Sequence, residues 1–524
     1  MSKLKIGVID LVSKAPTNAL YARIMNANLA SIMPQVVAVW CQQQGHDVSV
    51  TCFTGKENLE KELPQEVDVV FICAFTQAAM LAYSLSNYFQ SKGAVTVLGG
   101  PHARCYPEDA AKYFDYVTGF TNQETIREIL EDGEPHRPEG RYLAANNQPV
   151  NIPGVIERWP FIEANLKKAP FIKMVPMIGS MGCPYTCSFC IDSVVPYQPL
   201  DFDALKADLR FLRTKFKSPL VGWHDPNFGI RFNDYMDAIA EAAPNGSVRH
   251  LAETSLAILT EPNLKVLKEN GFMGMLPGIE SWFEMGNKSR ASRIQGFDRV
   301  KQVADHSNMI MDYLPYLQTN FVMGLDSDEG DLPFELTKMF VDLSPGSFPG
   351  YSILTAFGEA APVNLEYQRA GRVLPFPFHF LNNHLAMNVK PLNYEWVEFY
   401  DKVIDVTEYT FSRKAIYNRV KASNNFTVKW MNVMRAVSSE GYGRLKFFRN
   451  IRKMLIEDRT FRDYFEGEST ELPQYYVDLI KKDLGKWWDW LPEGAIYHDH
   501  LAYLKKENNI DIETKVAGKR RASS

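Results

Sequence analysis

Three of the seven cysteines lie within eight residues, as Cys183, Cys187 and Cys190. Three thiolates at the spacing C-x3-C-x2-C on one loop can bind three irons of a four-iron cluster. The fourth iron then keeps an open coordination position, where a small bidentate ligand such as an amino and carboxylate pair can bind. An electron can pass directly from the cluster to that ligand, which predicts redox chemistry at this loop.

Zinc binding is the main alternative for these cysteines. A tetrahedral zinc site needs a fourth ligand, and the nearest histidine, His224, follows a later predicted strand. A ferredoxin would need a fourth cysteine in register, which the neighbouring sequence lacks. The other four cysteines are scattered over the first 105 residues, and seven in 524 residues do not indicate a disulfide framework.

The net charge and the lengths of the apolar runs argue against some classes of protein. The net charge of -5 argues against a general nucleic-acid-binding protein, although it is compatible with a local basic patch. No apolar run approaches the roughly 18 residues of a membrane span. The apolar stretch Ile6 to Val12 contains Asp10 and lacks the features of a secretory signal. We therefore expect a cytoplasmic protein that does not bind nucleic acid.

The first 150 residues alternate strand-like and helix-like segments, with four apolar runs that predict strands. They are Lys5 to Leu11, Asp47 to Phe53, Val67 to Phe75 and Ala94 to Leu98. This β-α-β-α-β order predicts an α/β, doubly wound, Rossmann-like domain that binds ligands at the carboxyl ends of its strands. The proline-containing segment 135–165 is predicted to be a linker.

The alternation resumes after residue 165 with six further predicted strands. They are Val175–Ile178, Leu220–Trp223, Arg249–Glu253, Gly274–Pro277, Gln318–Met323 and Tyr351–Thr355. Six strands over 165–385 predict a partial (β/α)6 barrel whose site lies at the carboxyl ends of the strands. Residues 386–524 predict a mostly helical C-terminal domain, with a basic tail at 515–524 that we expect to be disordered.

With Phe189 before its last cysteine, the loop resembles the C-x3-C-x-aromatic-C signature of the radical S-adenosylmethionine superfamily. The resemblance implies a 4Fe-4S cluster on the three cysteines and places Phe189 near the adenine of the cofactor. In that family, reductive cleavage yields methionine and a 5'-deoxyadenosyl radical that abstracts hydrogen from the substrate. One departure is Met181, which stands where the most similar branch of the family has arginine beside the cluster.

Further strand-end motifs follow the loop in the order that the same superfamily shows. The segment Trp223 to Gly229 resembles the family's acidic strand end, Asp-Asp-Asn-Phe. Turn residues are common after any strand, so each motif is weak alone, and their order is what supports the resemblance. Residues that the resemblance assigns to S-adenosylmethionine are Glu253, Gly278, Ile279, Glu280, Ser281, Asn320 and Gly324.

The N-terminal segment resembles the cobalamin-binding domain that is fused to many radical enzymes. The resemblance assigns cobalamin contacts to Thr76, Gln77, Gly99, Gly100, Pro101 and His102. The histidine that binds cobalt in many such domains is absent, since Val12 stands in its place, and His102 is expected to contact the nucleotide tail or an interdomain surface. Gly119 begins a segment that departs from the family pattern Gly-Glu-Gly-Glu. A flavodoxin-like domain without cofactor is the alternative.

Together these resemblances predict an enzyme that methylates an unactivated carbon of a small-molecule substrate through a 5'-deoxyadenosyl radical and methylcobalamin. Radical rearrangement, cyclisation or oxidation without methyl transfer is one alternative. A non-enzymatic iron–sulfur or zinc scaffold or sensor is another. An electron donor such as flavodoxin or ferredoxin is implied, and no catalytic acid or base is identified. C-terminal aromatic residues either line a substrate pocket or form an ordinary helical core: Trp430, Phe447, Phe448, Tyr475, Tyr476, Trp487 and Trp488.

Overall fold

A six-stranded parallel sheet is built by the first part of the chain in the computed structural model, which describes residues 3–12, 28, 30–64, 66–169, 171–283 and 294–508. The predicted basic tail lies outside these ranges. The sheet has the order β2-β1-β3-β4-β5-β6. Its strands are β1 (Lys5–Leu11), β2 (Asp47–Phe53), β3 (Val69–Ala74), β4 (Val95–Gly99), β5 (Tyr116–Thr118) and β6 (Arg141–Leu143).

Helices cover both faces of this first sheet. Alternate residues of β1 enter two different apolar clusters, Ile9 and Leu11 in one and Ile6 and Val8 in the other. Strands buried on both faces read as continuous apolar runs, and this explains why β3 is apolar along its whole length. The helices are α1 (Ile32–Gln43), α2 (Leu59–Glu62), α3 (Ala79–Gln90), α4 (Pro101–Cys105), α5 (Pro107–Ala111), α6 (Gln123–Asp132) and α7 (Val155–Lys168). The doubly wound prediction is confirmed.

The segment 135–165, predicted to be a linker, contains regular structure. Strand β6 pairs with β5 and extends the first sheet. Helix α7 begins at Val155 and places Val155 and Ile162 in the protein core. The linker prediction was therefore wrong for most of this segment. Of its five prolines, Pro149 and Pro153 precede α7, and Pro160 lies inside the helix without preventing it.

A second parallel sheet has the order β7-β10-β11-β12-β13-β14, and a small antiparallel pair, β8 (Ser180–Met181) with β9 (Gln198–Pro199), lies beside it. Its strands are β7 (Met174–Met177), β10 (Leu220–Trp223), β11 (Arg249–Ser255), β12 (Phe272–Glu280), β13 (Tyr316–Met323) and β14 (Phe348–Ile353). Helices α8 (Phe202–Lys215), α9 (Phe232–Ala242), α10 (Glu261–Glu269), α11 (Gly296–Tyr313), α12 (Leu332–Leu343) and α13 (Pro362–Arg369) follow the strands. All six predicted strands are present, with bounds that differ by up to three residues.

The region after residue 386 is mostly helical, as predicted. Its elements are α14 (Trp396–Thr410), α15 (Arg413–Ala422), α16 (Phe426–Val437), a π-helical turn (Ser439–Gly443), α17 (Arg444–Glu457), α18 (Arg459–Phe465), α19 (Gln474–Leu484) and a 3-10 helix (Gly485–Trp490). In the described part of the chain, no helix has the length and apolar character of a membrane span.

The C-terminal region returns to the first sheet through Trp487. The indole Nε1 of Trp487 donates a hydrogen bond to the Gly55 carbonyl oxygen at 3.0 Å. The ring packs edge-on against Phe53 at 5.8 Å and Tyr88 at 5.4 Å between centroids. Residues more than 430 positions apart in sequence therefore share one core.

Candidate active site

The cysteine loop follows the carboxyl end of β7 and folds back on itself. Gly182 precedes the first cysteine with a φ of +67, and a Cβ at this position would lie 2.4 Å from the Val195 carbonyl oxygen. The Cys183 amide donates to that same oxygen at 3.2 Å, and the Cys190 amide donates to the Cys187 carbonyl at 3.0 Å. Cys183 and Cys187 are buried, and Cys190 is half-buried.

The donor set of this loop fits an iron–sulfur cluster. Three enclosed thiols on one short loop leave one iron of a 4Fe-4S cluster for another ligand. Among the described residues, no three His, Cys, Asp or Glu side chains converge on a single metal ion. A cluster does not require such convergence, because each thiolate binds a different iron. His224, considered above as a fourth zinc ligand, is therefore not grouped with the thiols.

Asp225 fixes the entrance to the cysteine loop. Its carboxylate accepts hydrogen bonds from the Gly179 amide at 3.1 Å, from Ser180 Oγ at 2.7 Å and from the Tyr235 hydroxyl. Burial raises the pKa of Asp225 above its usual value. The acidic strand end noticed in the sequence thus has a positioning role, since it joins the end of β10 to the start of the loop.

Arg104 reaches the same loop from the first half of the chain, and sequence reasoning missed it. From α4, its Nη2 donates to the Ile191 carbonyl at 2.8 Å, and its Nη1 lies 3.6 Å from the Asp192 carboxylate. The guanidinium also lies over the Phe120 ring, 4.7 Å from its centroid. Arg104 therefore brings a positive charge to the loop next to Cys190, in a sequence that has Met181 where an arginine was expected.

A cavity of about 330 Å³ separates the carboxyl edge of the first sheet from the cysteine loop. Its first-sheet side includes Phe71, Cys73, Gly99, Gly100, Pro101, Thr118 and Gly119, and its opposite side includes Ile178, Met181, Gly182, Ile191, Asp192, Val195, His224 and Pro226. Four of these residues are glycines, which let the backbone approach a ligand closely. We call the three on the first-sheet side, Gly99, Gly100 and Gly119, the glycine cradle. Its position beside the cysteine loop fits a bulky corrinoid.

The structure brings part of the predicted cobalamin set to this cavity. Gly99, Gly100 and Pro101 line it, whereas Thr76 and Gln77 lie in a 3-10 helix and are not among its lining residues. Gly100 has a φ of +92, and a Cβ there would lie 2.8 Å from Cys73 Sγ. Any other residue at this position would therefore be both strained and crowded.

His102 lies outside the cavity lining and is fully buried. Its Nε2 lies 2.7 Å from the Tyr83 hydroxyl, and its ring packs edge-on against Phe378 at 4.7 Å. Burial lowers the pKa of His102 to about 3. Phe378 follows the barrel strands in the chain, so His102 contacts another region of the protein, and its contact with a nucleotide tail stays a prediction.

His224 is the histidine that does face the cavity. Its backbone amide continues the pairing of β10 by donating to the Met177 carbonyl at 2.8 Å. Its side chain lines the cavity and is exposed there, and desolvation by the surrounding protein lowers the pKa of the imidazole to about 4. The ring is therefore neutral near pH 7.

A row of small and polar residues crosses the second sheet, from the carboxyl ends of β11 and β12 to the middle of β13 and β14. The strand register aligns Ser255 with Gly278, Gly278 with Asn320, and Asn320 with Gly350. A Cβ at Gly350 would lie 2.6 Å from Asn320 Oδ1, so the asparagine side chain lies across this glycine. We call these four residues the polar row.

Ser255 provides the test of fit for a bound ligand at the polar row. Its side chain is 1% exposed, and its Oγ has no hydrogen-bond partner. A buried hydroxyl without a partner costs free energy, roughly 1–3 kcal/mol. Asn227 follows the end of the neighbouring strand β10. Its side-chain Oδ1 and Nδ2 atoms are also buried and have no hydrogen-bond partner. Such groups fit a site completed by a polar ligand such as S-adenosylmethionine.

The other predicted S-adenosylmethionine residues divide into two groups. Glu253 lies at an alternate position from Ser255 and therefore shares its face of the sheet. Glu280 follows a shift in strand register after Gly278 and adopts a φ of +65. A Cβ at Gly278 would lie 2.1 Å from Glu280 Oε1, so the carboxylate lies over the polar row.

Ile279 and Gly324 do not join the polar row. Ile279 is 0% exposed in the core, and a Cβ at Gly324 would lie 2.8 Å from Met387 Sδ in the C-terminal region. Ser281 is buried just after β12, and Phe189 is half-buried against the main core. The roles predicted for these residues stay predictions.

Arg435 links the C-terminal helices to the polar row, and no sequence motif indicates this role. Its Nη1 donates to Gln318 Oε1 at 2.7 Å and to the Tyr316 hydroxyl. Gln318 Nε2 in turn donates to Asn320 Oδ1 at 2.6 Å. Arg435 is further held by an ion pair with Glu440.

Most of the C-terminal aromatic residues pack in the protein core. Phe447, Phe448, Tyr476 and Trp487 are buried in the main apolar cluster, to which Tyr475 and Trp488 add partly buried rings. Trp430 is instead 44% exposed. None of the seven lines the cavity beside the cysteine loop.

Comparison with known proteins gives the following relatives, and no protein-family model matches the chain. Bacteriochlorophyllide d C-8(2)-methyltransferase of Chlorobaculum tepidum is 24% identical over 386 residues, which cover 69% of this chain and 83% of that protein. Bacteriochlorophyllide d C-12(1)-methyltransferase of the same organism is 23% identical over 312 residues, 56% of this chain and 65% of that protein.

Solved structures of TsrM, a radical S-adenosylmethionine methyltransferase from Kitasatospora setae, share the fold. The structure with cobalamin and a 4Fe-4S cluster bound matches with a TM-score of 0.52 at 12% identity, over 75% of this chain and 79% of that chain. The structure with tryptophan substrate and an S-adenosylmethionine analog matches with a TM-score of 0.51 at 13% identity, over 74% and 80% of the respective chains.

Proposed function

We propose that this protein is a cobalamin-dependent radical S-adenosylmethionine enzyme that methylates an unactivated carbon of a small molecule. The observation that carries the proposal is the cavity of about 330 Å³ between the glycine-lined edge of the first sheet and the cysteine loop. This arrangement supports a corrinoid on the first sheet with one face toward the cluster. The two bacteriochlorophyllide methyltransferases and TsrM support the same reaction class.

Each cofactor has residues that would hold it. Cys183, Cys187 and Cys190 would bind a 4Fe-4S cluster, the polar row would contact S-adenosylmethionine, and Gly99 and Gly100 would contact cobalamin. When bound, the cluster supplies the electron that cleaves S-adenosylmethionine to a 5'-deoxyadenosyl radical, and the corrinoid supplies the methyl group. A flavodoxin or ferredoxin is the proposed electron donor.

The chain's own contribution is to position and enclose these groups. Asp225 and Arg104 hold the two ends of the cysteine loop, through Ser180 and Ile191 respectively. Ser255 presents an unpartnered hydroxyl that a bound ligand would satisfy, and Asn320 lies at the same level of the sheet. The position of the cavity between both sheets limits the access of oxygen and of hydrogen donors that would quench a radical intermediate.

A planar aromatic small molecule is the proposed substrate class. The sequence relatives act on bacteriochlorophyllide d, and TsrM was solved with tryptophan as substrate. All of these present conjugated rings with carbon atoms that polar methylation does not readily reach. The cavity walls, with Phe71, Ile178 and Val195, are apolar enough to accept such a ring.

The test begins with protein purified without oxygen, reconstituted with iron and sulfide, and incubated with hydroxocobalamin. After gel filtration, we expect close to four irons and one corrin per chain. With a reductant and S-adenosylmethionine, we expect both 5'-deoxyadenosine and S-adenosylhomocysteine. A cluster-loaded protein that retains no corrin would contradict methyl transfer, and 5'-deoxyadenosine without S-adenosylhomocysteine would favour rearrangement or oxidation.

A matched pair of cysteine variants controls for general effects of losing a thiol. Cys187→Ala removes a predicted iron ligand, so iron content and 5'-deoxyadenosine should fall to background. Cys41→Ala removes a buried thiol on α1, in the smaller apolar cluster of the first sheet, and should keep both. Equal loss in both variants would contradict the assignment of the cluster to the cysteine loop.

A further inference from the structure

One helix surface in the C-terminal region exposes apolar residues in a narrow stripe. On α16, Phe426 is 81% exposed, and Trp430, Val433 and Val437 are 44%, 37% and 47% exposed. Their spacing of four, three and four residues places all four within about 60° of the helix circumference. The stripe runs along the full length of α16, about 18 Å.

Basic residues without ion-pair partners lie on this helix and on the elements that adjoin it. Arg413, Lys414 and Lys421 are exposed on the neighbouring helix α15, and exposed Lys446 follows the π-helical turn; Lys429 flanks the stripe on α16 itself. In the described part of the chain, none of these five side chains forms an ion pair. By contrast, Arg449 and Arg452 on α17 pair with acidic residues of α14.

The local charge contrasts with the charge of the whole protein. Residues 411–453 contain eleven Lys or Arg and a single acidic residue, Glu440, in a chain whose net charge is -5. Glu440 is already paired with Arg435. The surface formed by α15, α16 and Lys446, which we call the basic stripe, is therefore a positively charged face on an otherwise acidic protein.

From these observations we infer that the basic stripe docks the protein on an anionic lipid membrane. A helix that lies in a bilayer interface buries an apolar face rich in Trp, Phe or aliphatic residues and keeps Lys and Arg beside the anionic headgroups. The basic stripe has both components, since apolar residues are exposed along α16 and basic residues are exposed on α15 and at Lys446. Nucleic acid or an acidic protein would pair with the lysines, but phosphate or carboxylate groups would leave Val433 and Val437 without an apolar partner.

The position of the basic stripe in the fold also favours a membrane over the electron donor. The inner side of α16 reaches Tyr316 and Phe348 through Arg435. These are the first residues of β13 and β14, whereas the cysteine loop follows the carboxyl end of β7. In a parallel sheet these are opposite ends, so a donor bound at the stripe would be far from the cluster.

Vesicle sedimentation with the full-length, cluster-loaded protein tests the inference. We expect binding to vesicles of 70% phosphatidylcholine and 30% phosphatidylglycerol, and weak binding to pure phosphatidylcholine. Salt should weaken the binding to anionic vesicles by screening. Replacing Lys414, Lys421 and Lys429 by Glu should lower the partition coefficient at least about fivefold per lysine. Equal partition onto both vesicle types, or none, would overturn the inference.

Apolar variants separate insertion from simple charge attraction. Phe426→Ser with Trp430→Ser should abolish most vesicle binding, whereas Trp430→Phe should retain binding and lose the quenching of tryptophan fluorescence by brominated lipids. Phe171→Ser and Lys217→Glu are matched controls on other exposed surfaces and should bind like the parent protein. All variants should keep iron content and thermal midpoint, so that a folding defect is recognised.

Two further results would contradict a membrane as the partner. If the protein binds heparin or RNA through the same lysines but does not sediment with anionic vesicles, the basic stripe is a site for a soluble polyanion. If the apolar variants bind vesicles as well as the parent protein does, the stripe does not enter the bilayer. The measurement requires no turnover, so its outcome is independent of the proposed methyl transfer.

Discussion

The two parallel sheets present different chemical groups at their ligand-binding sides. The first sheet presents backbone to the cavity, through Gly99, Gly100 and Gly119. The second presents side chains, through Ser255 and Asn320 of the polar row. A backbone-lined edge suits a large ligand held by shape, and a side-chain-lined edge suits a compact ligand with several polar groups. Two similar parallel sheets thus provide two kinds of site, because one has glycines where the other has polar side chains.

The largest effect on this comparison is expected when one methyl group is added to the first sheet. Gly100→Ala places a Cβ 2.8 Å from Cys73 Sγ and 3.0 Å from the Ala74 carbonyl, at a φ of +92. We expect corrin retention to be lost while iron content is kept, as measured by absorbance after gel filtration.

Gly93→Ala is the matched control for that variant. Gly93 has a similar φ of +84, but no atom lies within 4 Å of the added Cβ. Both variants should lose about 1 kcal/mol of stability from the strained backbone, and Gly100→Ala should lose more because its Cβ is also crowded. Only the Gly100 variant should lose corrin. Retention of corrin by Gly100→Ala would show that the glycine cradle does not approach the ligand.

A smaller effect is expected in the second sheet, where Ser255→Ala removes a single hydroxyl. The dissociation constant for S-adenosylmethionine, measured by equilibrium dialysis, should rise about fivefold, the value of one hydrogen bond. The unfolding free energy without ligand should stay equal or increase, because the hydroxyl is buried without a partner. Ser307→Ala removes another buried, unpartnered hydroxyl, on α11, and should leave S-adenosylmethionine binding unchanged.

An effect on stability alone is expected from Asp10, a buried carboxylate of the first sheet that accepts a hydrogen bond from the Ser31 amide at 2.6 Å. Burial raises the pKa of Asp10 to about 6. The folded pKa lies above the unfolded value of about 4, so the stability contributed by protonated Asp10 is lost as pH rises through 6. Between pH 4.5 and 7 this amounts to about 2 kcal/mol.

Urea unfolding at the two pH values measures this effect. Asp10→Asn should remove most of the pH dependence attributed to the group, because the amide does not titrate in this range. Asp237→Asn, at an exposed position on α9, should keep the pH dependence of the parent protein. If the Asp10 variant shows the same pH dependence as the parent protein, then Asp10 is ionised in the folded protein across this range.

Periodicity and local motifs predicted the elements well. All six strands of the second sheet were located, because buried strands are apolar and are followed by glycine or polar residues. The linker prediction failed at α7, where Pro160 lies inside a helix. A proline in the sequence suggests a break, but the rest of the helix, including buried Val155 and Ile162, stabilises α7 by packing on the core.

The site was predictable only where it is local in sequence. The cysteine loop and the glycines after β4 carry their chemistry in neighbouring residues. Arg104 and Arg435 act across 87 and 117 positions, respectively, and an arginine on a helix gives no sign of its partner. His102 was expected to contact the nucleotide tail or an interdomain surface, and its ring packs against Tyr83 and against Phe378 from a distant part of the chain.

The contact of Trp487 with Phe53 and Gly55 has a consequence for biogenesis. The ribosome must synthesise nearly the entire chain before the core of the first sheet is complete. During synthesis, Phe53 and Tyr88 lack their indole partner, so the nascent N-terminal half exposes an apolar surface to chaperones. C-terminal truncation is therefore expected to expose apolar rings at Phe53 and Tyr88, in a region far away in sequence.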